Sequence, residues 1–432
     1  MTAALPSVAG SAILVSLAIL SLVVGALVAG ALKRGGRREE AMDPHEALAV
    51  SRFTIPVSLI VSADGDCAAL STSIESLLAL TYPELEVIVV ADRLPERQCA
   101  ALKAEWALEP KEFFYRRTLA TGPVRRIYGS GRDGRLIVVE KTDGGRADAL
   151  NCGLSLARFR YVASVGPTVA FDNNALLRMM APALRDPASV LAVASHIETR
   201  AGTGLIAASQ WIGSIRSWMA TRLTWNRLRC GLGPNDAVVV WRRDALLALG
   251  GFSTAAADPE LHMLLRLQTS TVQGATGEVV RSAEIVGRTE PMSLGAAARL
   301  ASHRQHAVFE SLAGLRLFDG SRGQLAVVCF LIAELLTPVL QLCVMLTAIA
   351  GAAAGWFSWV TVLLVVLVLS VGNAIVTAAA LLLRGAAAGG PTTSQLTRLL
   401  ILAPAEYALY RPAVALAAIL GLGLSTPRGT SA

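Results

Sequence analysis

Charge is what this 432-residue sequence has least of: Asp, Glu, Lys and Arg make up 16% of it, against 53% hydrophobic residues. That balance excludes a chain built only of soluble domains and requires part of it to sit in lipid. The shortage is local, because most charged residues lie between Lys33 and Arg322 and the two ends are apolar. Met1–Gly10 contains no Lys or Arg, so the basic n-region of a cleaved signal peptide is missing. Cys67, Cys99, Cys152, Cys230, Cys329 and Cys343 show no C-x-x-C spacing and no His partner at ligand distance, which leaves them as ordinary reduced residues. No basic and aromatic stripe accompanies the net charge of +7, so nucleic acid is not an expected partner and anionic lipid heads suit the charge better.

What is present begins with Val8–Leu32, an uncharged stretch longer than the ~20 residues that cross a bilayer as a helix. Lys33, Arg34, Arg37 and Arg38 follow it, and the positive-inside rule then puts the N-terminus outside and the next segment in the cytoplasm. Three further spans are expected at about Leu325–Ala350, Trp356–Leu383 and Leu399–Leu424, with the uncharged Gly351–Gly355 outside and the loop between Arg384 and Arg398 inside. The layout predicts a multi-pass protein of a bacterial-type inner (plasma) membrane with a cytoplasmic central domain. Its expected divisions are an N-terminal transmembrane helix and basic flank (1–35), an α/β domain (50–288), interfacial amphipathic helices (289–323) and a C-terminal bundle of about three helices (324–424). Glu406 and Arg411 interrupt the last apolar stretch, where Pro404 and Pro412 predict a bent span or a re-entrant segment; a polar transport pathway is the other reading.

Between the membrane zones, short β-branched runs alternate with helical patterns, as βαβ units do. The runs are Val57–Val61, Glu86–Val90, Leu136–Val139, Tyr161–Val165 and Val190–Ala194. Continuous rather than alternating hydrophobicity predicts strands buried on both faces, hence a Rossmann-like, largely parallel sheet with ligands beyond the strand C-termini. The segments just past those ends are Ser62–Asp66, Ala91-Asp92-Arg93, Lys141–Asn151 and Gly166-Pro167-Thr168. The third is the most informative: Gly144 and Gly145 let backbone approach a ligand, and Lys141 and Arg146 supply cations where a helix begins, which suits a diphosphate. A plain strand-to-helix turn with solvated Lys and Arg accounts for the same spacing.

The order Val57-Ser58-Leu59-Ile60-Val61, Ser76-Leu77-Leu78 with Tyr82-Pro83, Val87-Ile88-Val89-Val90, then Gly144-Gly145-Arg146-Ala147-Asp148-Ala149-Leu150-Asn151 resembles the family-2 glycosyltransferases. Trp241-Arg242-Arg243-Asp244-Ala245-Leu246 with Gly250-Gly251-Phe252 resembles that family's acceptor-side segment. With one N-terminal and several C-terminal spans, the layout is similar to the membrane polysaccharide synthases and the ceramide-type glucosyltransferases. The resemblance implies a GT-A fold, a donor of the uridine diphosphate type, a lipid or glycan acceptor and other glycan-synthesis subunits as partners.

Carried over residue by residue, the resemblance makes Asp92 the uracil contact, with Ala91 in place of its usual acidic neighbour. Arg146 matches the basic position of the Gly-Gly-Lys element, where its fork suits phosphate oxygens, and Lys141 fits the same role. Asp258, after Ala257, matches the general base that deprotonates the acceptor; capping the helix that starts at Pro259 is its other reading. The Asp-x-Asp that holds Mg²⁺ or Mn²⁺ in the family is replaced by Val165-Gly166-Pro167, so no metal or other cofactor is expected; Asp172 reads as a helix N-cap or a substitute ligand. Ser302-His303-Arg304-Gln305-His306 is the best match to Gln-x-x-Arg-Trp, without its Trp. His303 and Arg304 are expected either to contact diphosphate or acceptor or to line an amphipathic helix at the membrane surface.

Two functions follow. One is an inverting glycosyltransferase for a surface polysaccharide or glycolipid. The other is a pseudo-glycosyltransferase that keeps the fold and serves as a binding or assembly subunit of a glycan synthase complex.

Overall fold

The computed structural model describes residues 54–64, 69–112, 118–142, 144–167, 169–222, 232–233, 237–269, 277–312, 327–328, 330–332, 337–356, 358–385 and 390–424. The expected span Val8–Leu32 lies outside the described residues.

The expected strand runs all appear, as β1 (Val57–Asp64), β2 (Leu85–Asp92), β5 (Leu136–Lys141), β6 (Tyr161–Val165) and β8 (Val190–Thr199). Five strands join them: β3 (Leu108–Pro110), β4 (Val124–Ser130), β7 (Ala170–Phe171), β9 (Ala237–Arg242) and β10 (Glu278–Thr289). The sheet order is β3-β4-β5-β2-β1-β6-β9-β8-β10-β7. The expected parallel sheet is its centre, β5-β2-β1-β6, and β8 and β10 are parallel as well. The strands not foreseen bring the antiparallel pairings, β4 on β5 and β9 between β6 and β8, which make the sheet mixed.

Helices cover both faces, because successive side chains in a buried strand point opposite ways. Leu59, Val87 and Val89 pack with Ile74 and Leu77 of α1 (Leu70–Leu78) and Leu176 and Met180 of α4 (Ala175–Arg185). Ile60, Ile88 and Val90 pack on the other face with Leu150 and Leu154 of α3 (Gly145–Leu156) and Leu264 of α7 (Pro259–Thr269). Helix α2 (Glu96–Glu105) follows β2, and α6 (Arg243–Ala248) follows β9. Gly153 sets how closely α3 lies on β1, since a Cβ there would be 2.5 Å from Ile60 Cγ2.

The two segments that carry the family resemblance meet in this layer. The buried Asn151 side chain donates to the Phe252 carbonyl and accepts from the Phe252 N–H, both at 2.8 Å. Gly251 makes the approach feasible: its φ is +77°, and a Cβ would lie 2.5 Å from Asn151 Oδ1. Trp241 is fully buried, donates to Ser164 Oγ at 3.0 Å and packs edge-on to Phe252. In this fold, therefore, Trp241–Phe252 clamps α3 to the sheet.

The C-terminal part is helical: α8 (Leu294–Leu312), α9 (Thr337–Ala353), α10 (Trp359–Gly385) and α11 (Thr393–Ala405), then a π-helical turn Glu406–Tyr410 and α12 (Arg411–Leu424). Among the described residues, Trp359–Gly385 and Thr393–Ala418 are long and apolar enough to cross a membrane, and Val339–Ala353 is a shorter apolar helix. The last helix starts six residues before the expected Leu399 because Thr392 and Gln395 form a reciprocal capping box. Pro404 and Pro412 do not end it; they flank the π turn instead. Helix α5 (Leu205–Ala220) joins sheet to bundle, packing Trp211, Ile215 and Trp218 against Val376, Leu381 and Leu399. A buried ion pair fastens the same joint, Arg384 Nε of α10 to Glu198 Oε1 of β8 at 3.0 Å.

Asn151→Ala leaves both polar groups of Phe252 without their buried partner. It is expected to lower the stability of the sheet domain by about 2–4 kcal/mol, read from denaturant or thermal unfolding, whereas Asn151 being merely a tolerant helix position predicts less than about 1 kcal/mol.

Candidate functional site

Asp64, Asp92, Lys141 and Val165 end four adjacent parallel strands, so they lie along one edge of the sheet. Asp92 is 1% exposed. Its Oδ2 accepts the backbone N–H groups of Gly144, at 3.0 Å, and Gly145, at 2.7 Å. The N-terminus of α3 thus meets an internal carboxylate, which suits its positive end. Asp92 Oδ1 is buried without a hydrogen-bond partner, an acceptor with its capacity unused. Burial raises the Asp92 pKa; the Gly144 N–H, the Lys141 cation and the Gly145 N–H pull it down, and Asp64 adds to the rise.

The two glycines are needed for different reasons. A side chain at Gly144 would collide with Lys141 and Asp148, and Gly145 has a φ of +75°. Beneath them, Lys141 Nζ forms a very short ion pair with Asp148 and donates to the Thr142 carbonyl at 3.0 Å. Asp148 Oδ1 accepts the Gly122 N–H at 2.9 Å. Lys141 is therefore buried under the turn as part of its frame.

Arg146 is the cation that reaches outward. Its Nη1 donates to Ser62 Oγ at 3.0 Å, and its Nε and Nη2 reach Glu260 Oε2 at 2.8 and 2.5 Å. Glu260 lies in the first turn of α7, whose preceding residue is Asp258. Asp258 Oδ1 accepts the N–H groups of Glu260, at 3.1 Å, and Leu261, at 2.9 Å, so Asp258 does cap this helix. Burial raises the Asp258 pKa most; the Leu261 N–H lowers it, Glu260 raises it, and the Arg304 and Arg146 cations lower it. One turn on, burial and then Arg266 hold the His262 pKa below the ordinary histidine value.

Helix α8 closes over this end of α7. Glu310 accepts the Ala257 N–H at 3.0 Å, and His306 approaches Glu310 at 4.0 Å. Arg304 donates to the Gly233 carbonyl at 2.6 Å. His303 is exposed on the same helix. The fold thus links Asp92, Gly144, Gly145, Arg146 and Asp258 through successive contacts, with Lys141 underneath; Arg304 acts on Asp258 through its charge, and no contact ties the exposed His303 to this group.

Among the described residues, the positions where the resembled family carries Asp-x-Asp offer no ligand for a divalent metal. Val165 is a buried hydrocarbon, Gly166 and Pro167 bring no ligating side chain, and no metal-ligand cluster occurs among the described residues. The carboxylate of Asp172 is approached by Arg178 and Arg288, each at 3.4 Å. Asp172 does not cap α4, whose N-cap residue is Asn174. Sequence alone gave no role to Asp148, Glu260 or Asn151. An acid in the first turn of a helix was a visible signal for Asp148 and Glu260, but their pairing with Lys141 and Arg146 was not.

The raised Asp258 pKa has a signed consequence. Between the ordinary carboxylate value and the raised one, the folded chain holds a proton that the unfolded chain has lost, so stability falls as pH rises through that window. Asp258→Asn keeps a capping oxygen without the charge. Its thermal midpoint is expected to equal or exceed the parent's at neutral pH, with the difference vanishing below about pH 4. A loss of stability at neutral pH that disappears as the carboxyl is protonated would instead assign Asp258 to capping by its charge.

No protein-family model matches the sequence, and no curated protein matches it. Among solved structures the chain is similar to the crystal structure of S. aureus TarS 1-349, with a TM-score of 0.41 and 13% identity over 85% of this chain and 92% of that one. The same protein in complex with UDP-GlcNAc gives a TM-score of 0.42, and in complex with UDP 0.41, with the same identity and coverage.

Proposed function

We propose that this chain is a membrane-bound, family-2-like inverting glycosyltransferase of the GT-A type that uses a uridine diphosphate sugar to build a surface polysaccharide or glycolipid. The observation that carries the reading is Asp92: a carboxylate at the end of a parallel strand, with one oxygen fixing the Gly144-Gly145 turn and the other buried and unused. That free acceptor suits the imide N–H of uracil. Membrane placement is supported by exposed apolar faces, such as Leu363 at 68% and Ile401 at 72%, which a soluble protein would bury.

In the proposed reaction Asp258 accepts the proton of the acceptor hydroxyl as its oxygen attacks the anomeric carbon. A new glycosidic C–O bond forms, the anomeric bond to the diphosphate breaks, and uridine diphosphate leaves with the electron pair. Arg146 faces the departing charge. Its contact with Glu260 is partly exposed, and such pairs are worth about 0–1 kcal/mol, so Arg146 can exchange Glu260 for phosphate oxygens at small cost. Lys141 cannot, because breaking a buried pair costs roughly 3–5 kcal/mol. It acts here as a positioning residue.

The pseudo-glycosyltransferase reading is favoured by one feature, that both cations of the turn already have carboxylate partners. Release of uridine diphosphate by the full chain in detergent, across the common uridine diphosphate sugars, separates the two. Turnover that survives EDTA and falls about 10²- to 10⁴-fold in Asp258→Asn is expected. Binding of the nucleotide without turnover of any of these sugars would establish the pseudoenzyme.

A further inference from the structure

Accepting the acceptor's proton occupies one carboxylate, Asp258, yet the start of α7 carries more acid than that. Glu260 gives its own N–H to Asp258 Oδ1 at 3.1 Å. Glu310 of α8 accepts the N–H of Ala257, the residue before Asp258, at 3.0 Å. The Glu260 side chain is 18% exposed, and its Oε2 accepts from Arg146 Nε at 2.8 Å and Nη2 at 2.5 Å.

The place of a bound sugar follows from its two neighbours. Arg146 faces the diphosphate and Asp258 faces the acceptor hydroxyl, so the ring transferred between them sits beside Glu260, which touches both residues. When Arg146 turns to phosphate oxygens, Glu260 loses its cation while mostly buried, and it then takes donors from whatever fills the cleft. The hydroxyl groups of an uncharged sugar supply them. A carboxylate on the ring does the opposite, because it sets a further negative charge against Asp258 and Glu260 and offers no donor in return.

The cations nearby do little to offset that charge. Arg304 donates to the Gly233 carbonyl at 2.6 Å, and His306 faces Glu310 at 4.0 Å. Burial, then Arg266, holds the His262 pKa below the ordinary value, which keeps that ring neutral at neutral pH. We propose that Glu260, with Asp258 beside it, is a specificity determinant that turns from Arg146 to the hydroxyl groups of an uncharged sugar and disfavours a uronic acid in the donor. The proposal rests on the reading of Asp92, Arg146 and Asp258 as a site for a uridine diphosphate sugar.

Uridine diphosphate glucose and uridine diphosphate glucuronate differ only at C6, and their affinities for the full chain are compared with that of uridine diphosphate by calorimetry in neutral detergent with EDTA. In the parent protein the glucuronate is expected to bind at least about 10-fold more weakly than the glucose compound. In Glu260→Gln, which keeps an acceptor oxygen and drops the charge, the ratio is expected to fall to about 3-fold or less. The ratio is the readout because freeing Arg146 from Glu260 strengthens all three ligands alike. Equal affinity for the two sugars in the parent, or a ratio unchanged in Glu260→Gln, would overturn the role of Glu260. Absence of binding by uridine diphosphate itself would overturn the donor reading instead. Should Glu260→Gln fail to fold, Glu260→Ala is read in the same way.

Discussion

The hydrogen bonds from Gly144 and Gly145 to Asp92 are the constraint on which the site depends. They fasten the end of β2 to the turn between β5 and α3, and so fix where α3 begins. Replacement is opposed at Gly144 by lack of space over the Lys141–Asp148 pair and at Gly145 by a backbone conformation that side chains rarely adopt. Once α3 is set, Asn151 reaches Phe252 and Arg146 reaches Glu260, which brings the Asp258 end of α7 to the same edge. A single carboxylate at a strand end therefore organises parts of the chain far apart in sequence.

The molecule answers its buried charges internally. Lys141 meets Asp148, and Arg384 meets Glu198. Pairs of this kind are costly to break, so these residues hold the frame and do not exchange partners with a substrate. Arg146 differs because its pair with Glu260 is open to solvent. The difference in burial, more than any difference in residue type, sorts the two basic residues of the turn into frame and candidate ligand. In the helical part Glu406 is held between Arg216 and Arg411.

The central strands were legible in the sequence because burial on both faces forces a continuous apolar run, as in Val87-Ile88-Val89-Val90. Strand β4 was not, since its sequence Val-Arg-Arg-Ile-Tyr-Gly-Ser is half polar, as an antiparallel strand with an exposed side is. Strand β9 escaped because Ala237–Arg242 runs into a motif that reads more strongly as a recognition segment, although Trp241 is a core residue. At the site, Asp92, Gly144, Gly145, Arg146 and Asp258 were visible by type and order. That Lys141 faces Asp148 instead of an open cleft depends on the path of the turn, which spacing alone does not encode. Glu406 and Arg411 were visible as charges in an apolar stretch, but Arg216, their third member, lies 190 residues before Glu406.

Nucleotide binding of the proposed kind requires Asp92 Oδ1 to accept from the nucleobase. Calorimetric titration of the full chain in detergent with uridine diphosphate, in the presence of EDTA, addresses it directly. Binding that is about 10- to 100-fold weaker in Asp92→Asn, with the thermal midpoint little changed, is the predicted result. Undiminished affinity in that variant, or no affinity in the parent protein, would contradict it.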